Sequence, residues 1–293
     1  MPLAREEIAS RLAEVGYIAD RDLATALWMM DFLKRPLLLE GQAGVGKTEV
    51  AKALAALHGA ELIRLQCYEG LDQNAALYEW NYQRQLLAIK AREGAGESAE
   101  RIEERIFSEK YLLERPLLAA IRRREAPVLL VDEVDRADEE FEAFLLELLS
   151  DYQVSIPELG TIAAVTIPRV VLTSNNTREL SDALRRRCLY HYVDFPDVER
   201  EAAIILKRTP GVASSLAAQI ARLVAAIRKE DLRKAPGVAE TLDWAATLAG
   251  LAIEDLRQSP EIVHDTLICL LKTHEDRARL TRETTARLIG KVA

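Results

Sequence analysis

With 293 residues, 49% of them hydrophobic and 29% charged, the chain can hold one large domain or a medium one with a smaller companion, around a substantial core. Its formal net charge of −8, from 39 Lys and Arg against 47 Asp and Glu, repels polyanions, so nucleic acid is not an expected partner. Neither the three separated cysteines (Cys67, Cys188, Cys269) nor the four histidines (His58, His191, His264, His274) fall at metal-ligand spacing, which suits a reducing cytoplasm.

The opening MPLAREEIASRL lacks the apolar core of a signal peptide, and no apolar run reaches the roughly 18 residues of a bilayer span. A soluble, cytoplasmic protein without membrane insertion is expected. Helical spacing of Leu23, Ala26, Leu27, Met30 and Leu33 predicts a helix over Asp22 to Leu33, ended by Pro36. The run Leu37-Leu38-Leu39 predicts a buried strand, and a glycine loop follows it. Val50, Ala53, Leu54 and Leu57 then share a helical stripe that stops near Gly59.

Further short apolar runs at Leu62 to Cys67, Val128 to Val131, Val170 to Thr173 and Leu189 to Phe195 predict strands. Strands alternating with helices predict an α/β fold, a parallel sheet with ligands at the carboxyl ends of its strands. The loop around Glu93 to Ser98 alone is low in complexity. Beyond Pro196 the pattern is helical, over Ala202 to Leu206, Leu216 to Ile227, Ala239 to Leu251 and Ile262 to Leu271. We expect an α/β domain over 1–196 and a smaller all-α lid over 197–293.

Gly41-Gln42-Ala43-Gly44-Val45-Gly46-Lys47-Thr48 fits G-x-x-x-x-G-K-[ST] without mismatch, between a strand and an amphipathic helix. Such a loop wraps phosphates with backbone N–H groups at a helix start. Lys47 is then the residue that reaches the β- and γ-phosphates, and Thr48 offers its hydroxyl to Mg²⁺. Val128-Leu129-Leu130-Val131 ends in Asp132 and Glu133: Asp132 is the second candidate Mg²⁺ residue, and Glu133 can polarise a water for attack on the γ-phosphate. Asp135, Asp138, Glu139 and Glu140 are read as helix N-terminal charges.

Asn175, after the strand Val170 to Thr173, can hydrogen-bond the attacking water or the γ-phosphate, or merely close an Asx turn. Among Arg185, Arg186 and Arg187, a guanidinium can compensate charge on a phosphate bound by a neighbouring subunit, or the run is simply a basic helix end. The run Arg122 to Arg124 is read as a solvated helix end.

The order of GQAGVGKT, LLVDEVDRA, TSNN and LRRR before a helical tail resembles an AAA+ ATPase. PLLLEGQAGVGKTEVAKALA and LVDEVDRADEEFEAFLLELLSD are similar to the MoxR family over nearly the whole chain. CYEGLDQNAALYEWNYQRQLL resembles the subgroup that accompanies carbon monoxide dehydrogenase and related molybdenum hydroxylases. The resemblance implies ATP and Mg²⁺ as cofactors and a homo-oligomeric, hexameric ring. It implies as partners a von Willebrand factor A domain protein and a client metalloenzyme.

It also implies an insertion over Leu71 to Glu114 and a hairpin over Val154 to Val165, both toward the ring's substrate face. Arg186 and Arg187 are the implied arginine fingers. The family's second sensor, an Arg after a Pro at a helix start, is replaced here by Pro236-Gly237, with Arg233 upstream as the candidate in its place. Two readings compete with a remodelling ATPase: a nucleic-acid motor or loader on the same core, and a small-molecule kinase. Acidic charge and few aromatics count against the first, and the helical tail against the second.

Overall fold

The computed structural model describes residues 4–91 and 98–292, so the low-complexity loop, apart from Ser98, and the first three residues lie outside the described residues. Two compact units divide the chain: Met1–Ile8, Asp22–Glu40 and Ala51–His191 make the first, and Ala9–Arg21, Gly41–Val50 and Tyr192–Ala293 the second. In chain order, a mixed α/β part built on a parallel sheet is followed by a smaller all-helical part.

The α/β part begins with α1 (Arg5–Glu14), α2 (Arg21–Leu33), β1 (Leu37–Glu40), α3 (Lys47–His58) and β2 (Leu62–Gln66). There follow α4 (Gln73–Ala76), β3 (Tyr78–Trp80), α5 (Tyr82–Lys90), α6 (Ala99–Ile106), and β4 (Leu112–Glu114), which pairs antiparallel with β3. Then come α7 (Pro116–Arg122), opened by a proline whose missing N–H costs nothing at a first turn, β5 (Val128–Asp132), and α8 (Glu139–Asp151). The hairpin β6 (Gln153–Ile156) and β7 (Gly160–Ala163) precedes β8 (Arg169–Ser174), α9 (Asp182–Arg187) and β9 (Leu189–Tyr192). The last strand stops three residues short of the predicted Phe195; it lies at a sheet edge, and Pro196 has no N–H to extend a ladder.

The sheet has five strands in the order β2-β5-β8-β1-β9, with β2, β5, β8 and β1 running parallel. β1 and β5 are buried at every residue, the signature of strands covered on both faces. β2 at the edge alternates instead: Ile63 and Leu65 are buried, Arg64 and Gln66 exposed. Register sets Gln66 beside Asp132 and Glu40 beside Ser174, so all four stand at the carboxyl edge of the sheet.

The helical part comprises α10 (Val198–Arg208), α11 (Ser214–Ile227), α12 (Val238–Gly250), α13 (Pro260–Thr266), α14 (His274–Arg279) and α15 (Arg282–Val292). The predicted single helix over Ile262 to Leu271 is instead α13 continued by a tighter 3₁₀ turn at Leu267–Cys269. Trp244 anchors this core, with its indole N–H donating to Thr266 Oγ1 at 2.9 Å. Arg228 makes a buried two-pronged pair with Glu201 at 2.6 and 2.7 Å and donates from Nε to the Pro236 carbonyl at 2.8 Å. Both charges are thus matched out of water, and the backbone just before α12 is fixed.

Candidate functional site

In the second unit, the Gly41–Gly46 loop leads into the N-terminus of α3, the end of a helix where the backbone dipole favours an anion. Lys47, almost fully buried, donates from Nζ to the carbonyls of Gly41 (2.7 Å) and Gln42 (2.8 Å), so its ammonium is held over the loop. Gln42, Ala43 and Val45 complete the turn, and Thr48 follows Lys47 in the helix. Gly44, at φ +84°, has no room for a side chain: an added Cβ would stand 2.9 Å from Gly237 Cα. The Gly44 carbonyl accepts from Val238 N at 2.8 Å, and Glu49 in the first turn of α3 pairs with Arg208 at 3.4 Å. The loop therefore meets the C-terminal helices at Gly237 and Val238, and the first turn of α3 meets them at Arg208.

Arg233 is engaged elsewhere. Its N–H donates to Asp276 Oδ1 (2.7 Å) and its guanidinium to Glu275 (3.1 Å), with the side chain mostly in solvent. The structure does not bring Arg233 to the loop.

In the first unit, the acid pair closes β5. Asp132 is buried, with Oδ1 accepting from Thr173 Oγ1 at 2.6 Å and Oδ2 from Arg64 at 2.6 Å. Glu133 adopts the left-handed region at φ 54°, ψ 50°, a conformation that costs a non-glycine residue energy and concentrates at functional sites. Its N–H donates to Thr173 Oγ1 at 2.8 Å. Its carboxylate accepts from Asn175 Nδ2 (3.3 Å) and Gln66 Nε2 (3.2 Å) and faces Arg136 at 3.3 Å. Asn175 and Glu133 are thus brought together, which the Asx-turn alternative does not require.

Asp138 caps α8 by accepting from Phe141 N, with Glu139 and Glu140 in the first turn, as expected. Asp135 departs from the prediction. A 3₁₀ turn at Val134–Arg136 separates it from α8 and buries it, and its Oδ2 accepts from Asn175 N (3.2 Å), Thr177 N (2.9 Å) and Thr177 Oγ1 (2.7 Å). Burial pushes its pKa up, but the hydrogen bonds from Thr177 and Asn175 outweigh it and hold the carboxyl below the usual aspartate value. Asp135 is a clamp on the loop that carries Asn175, not a helix-end charge.

The three arginines differ. Arg185 pairs with buried Glu40 at 2.9 Å, and Arg187 donates to Ser150 Oγ and to the Ala183 carbonyl. Arg186 is exposed, and its side chain has no hydrogen-bond or ion-pair partner among the described residues. Buried Glu142 on α8 accepts from Arg178 and from Ser181 N, which fixes the start of α9. Spacing did not single out Arg64, Gln66, Thr173 or Glu142. The readable trace was the pair of polar residues two apart in the otherwise apolar run Leu62 to Cys67.

No helix among the described residues is long and apolar enough to cross a membrane. A family model for the AAA domain of the dynein-related subfamily matches residues 36–188. No curated protein matches the sequence. Among solved structures, the chain is similar to a candidate ATPase of Cytophaga hutchinsonii, at 17% identity and TM-score 0.48 over 99% of this chain and 95% of that one. It is also similar to the Thermotoga maritima RuvB Holliday junction branch migration motor, at 17% identity and TM-score 0.44 over 91% and 69%.

Proposed function

Because the chain belongs to the dynein-related AAA domain family, a family of nucleotide-hydrolysing proteins, we propose that it is a magnesium-dependent ATPase of MoxR type that remodels or activates a client metalloenzyme. The observation that carries the hydrolytic part is Asn175 donating to the Glu133 carboxylate at the end of a fully buried strand. A carboxylate so placed can take a proton from water, and the amide beside it can orient that water. The loop residues Gly41 to Thr48 hold the triphosphate, Lys47 facing its β- and γ-oxygens.

Asp132 in the first unit and Thr48 in the second each offer an oxygen, a carboxylate and a hydroxyl, the donor type that suits a hard cation such as magnesium, and are the residues that would hold it. Magnesium, when bound, would supply positive charge to offset that of the phosphates. Asp132 keeps a fixed orientation for it through Thr173, and Glu133 remains the base. Arg186, whose side chain has no partner among the described residues, is the arginine assigned to a neighbouring subunit's nucleotide in a hexameric ring. Arg187 is the second choice.

The likeness of CYEGLDQNAALYEWNYQRQLL to one MoxR subgroup supports a molybdenum hydroxylase such as carbon monoxide dehydrogenase as client, with a von Willebrand factor A protein as co-factor in the assembly. Recovery of such a hydroxylase with a Glu133→Gln trap from native cells tests this reading. A trap that retains ATP yet captures neither hydroxylase nor von Willebrand factor A protein refutes the client while leaving the ATPase intact. ATPase stimulation by DNA that vanishes with salt would instead favour a nucleic-acid motor.

A further inference from the structure

The Asp132 carboxylate, buried at the tip of β5, already faces a cation supplied by the chain. Arg64 donates to Asp132 Oδ2 at 2.6 Å and to Gln66 Oε1 at 2.5 Å, while Gln66 reaches Glu133 at 3.2 Å. The arrangement follows from strand geometry. Arg64 and Gln66 lie two apart on edge strand β2, so both side chains leave the same face, and parallel register sets Gln66 beside Asp132. Burying a carboxylate without compensating charge is unfavourable, and here a guanidinium that is itself half in solvent provides it.

We propose that Arg64 is a positioning residue that serves as the built-in counter-cation of Asp132 and sets the magnesium concentration at which nucleotide is taken up. The proposal rests on the reading of Asp132 as the magnesium-holding carboxylate. Any metal recruiting that carboxylate competes with the guanidinium for the Oδ2 lone pairs and for the same negative charge. Thr173, buried and bonded to Oδ1, keeps the carboxylate oriented whether or not Arg64 is present. Removing Arg64 therefore takes away the competitor and leaves the ligand in place. The half-exposed position limits the size of the effect, since solvent screens such a pair.

The test is a Mg²⁺ titration of the binding of a fluorescent, non-hydrolysable ATP analogue to the full chain, with circular dichroism to verify folding. In Arg64→Gln the half-saturating Mg²⁺ concentration is expected to fall about two- to fivefold, whereas Arg64→Lys, which keeps the charge, stays within about twofold of wild type. Arg64→Met, which keeps the aliphatic stem on β2, replaces the Gln variant should that one unfold. An unchanged or raised Mg²⁺ requirement in the neutral variant overturns the proposal, as does a Lys variant that shifts as far as the neutral one. Failure of the wild type to bind the analogue at any Mg²⁺ concentration would refute the ATPase reading itself, a result distinct from either.

Discussion

Val238, the first residue of α12, donates its amide to the carbonyl of Gly44 in the glycine loop at 2.8 Å. The contact depends on two missing side chains. A Cβ on Gly237 would stand 2.8 Å from Gly44 Cα and 2.9 Å from Gly44 O, backbone atoms that cannot step aside. Any side chain at position 237 would therefore meet the loop's own backbone.

Gly237→Ala isolates that contact. Gly237 has φ −81° and ψ 175°, which any residue adopts, so the substitution carries no backbone penalty and acts only through space. We expect a loss of about 1–3 kcal/mol of stability in urea unfolding and weaker nucleotide binding by calorimetry. Trimming Glu240, whose Oε2 lies 2.6 Å from the added Cβ, should not restore either, because the clash with Gly44 remains. A Gly237→Ala protein with wild-type stability and affinity would show that the loop can move away freely.

Local spacing made the loop and the acid pair legible. Gly41 to Thr48 and Val128 to Glu133 each carry their chemistry within eight residues, and strand burial follows from unbroken apolar runs. Arg64, Gln66 and Thr173 were not legible, because their roles come from register between strands that lie about 40 or more residues apart, and no single run encodes register. Asp135 differs from its expected place for a related reason: a 3₁₀ turn intervenes where the acidic run suggests an uninterrupted helix start. The reason for Gly237 became visible only with Gly44 beside it.

Glu133→Gln separates binding from chemistry. The amide keeps the size of the carboxylate and can still accept from Asn175, but it cannot take a proton. Nucleotide affinity should stay near wild type while turnover falls on the order of 10²–10⁴-fold, measured by phosphate release alongside calorimetry. Lys47→Ala should do the reverse of the first part and remove measurable ATP binding, since the ammonium over the loop is lost. Equal turnover in wild type and Glu133→Gln would contradict the assigned role.

Asp135 gives a pH dependence of definite sign. Its native pKa lies below the ordinary aspartate value of about 3.9. The stability it contributes is therefore fully present above that unfolded value and is lost as pH falls through the lowered native one. Urea midpoints should favour wild type over Asp135→Asn near neutrality by about 1–3 kcal/mol, because the amide would place an N–H₂ or a weaker acceptor against Thr177 and Asn175. The gap should close in acid, below roughly pH 4. A difference that is constant with pH would show that the charge of Asp135 does not contribute.

Arg185 and Arg186 allow a structural role to be tested apart from the proposed role across a subunit boundary. Arg185→Ala leaves Glu40, buried at the end of β1, with Tyr190 at 3.3 Å but without its guanidinium, and should cost about 1–3 kcal/mol of stability. Arg186→Ala touches no internal partner among the described residues and should leave the unfolding midpoint within about 0.5 kcal/mol of wild type. Its turnover, however, should fall about 10³-fold or more in the assembled state. Mixing Arg186→Ala with Lys47→Ala subunits tests the arrangement between subunits. At an interface where an Arg186→Ala subunit holds the nucleotide and a Lys47→Ala subunit supplies an intact Arg186, activity should return above that of either variant alone. Mixed assemblies as inactive as the separate proteins would argue that Arg186 does not act across a subunit boundary.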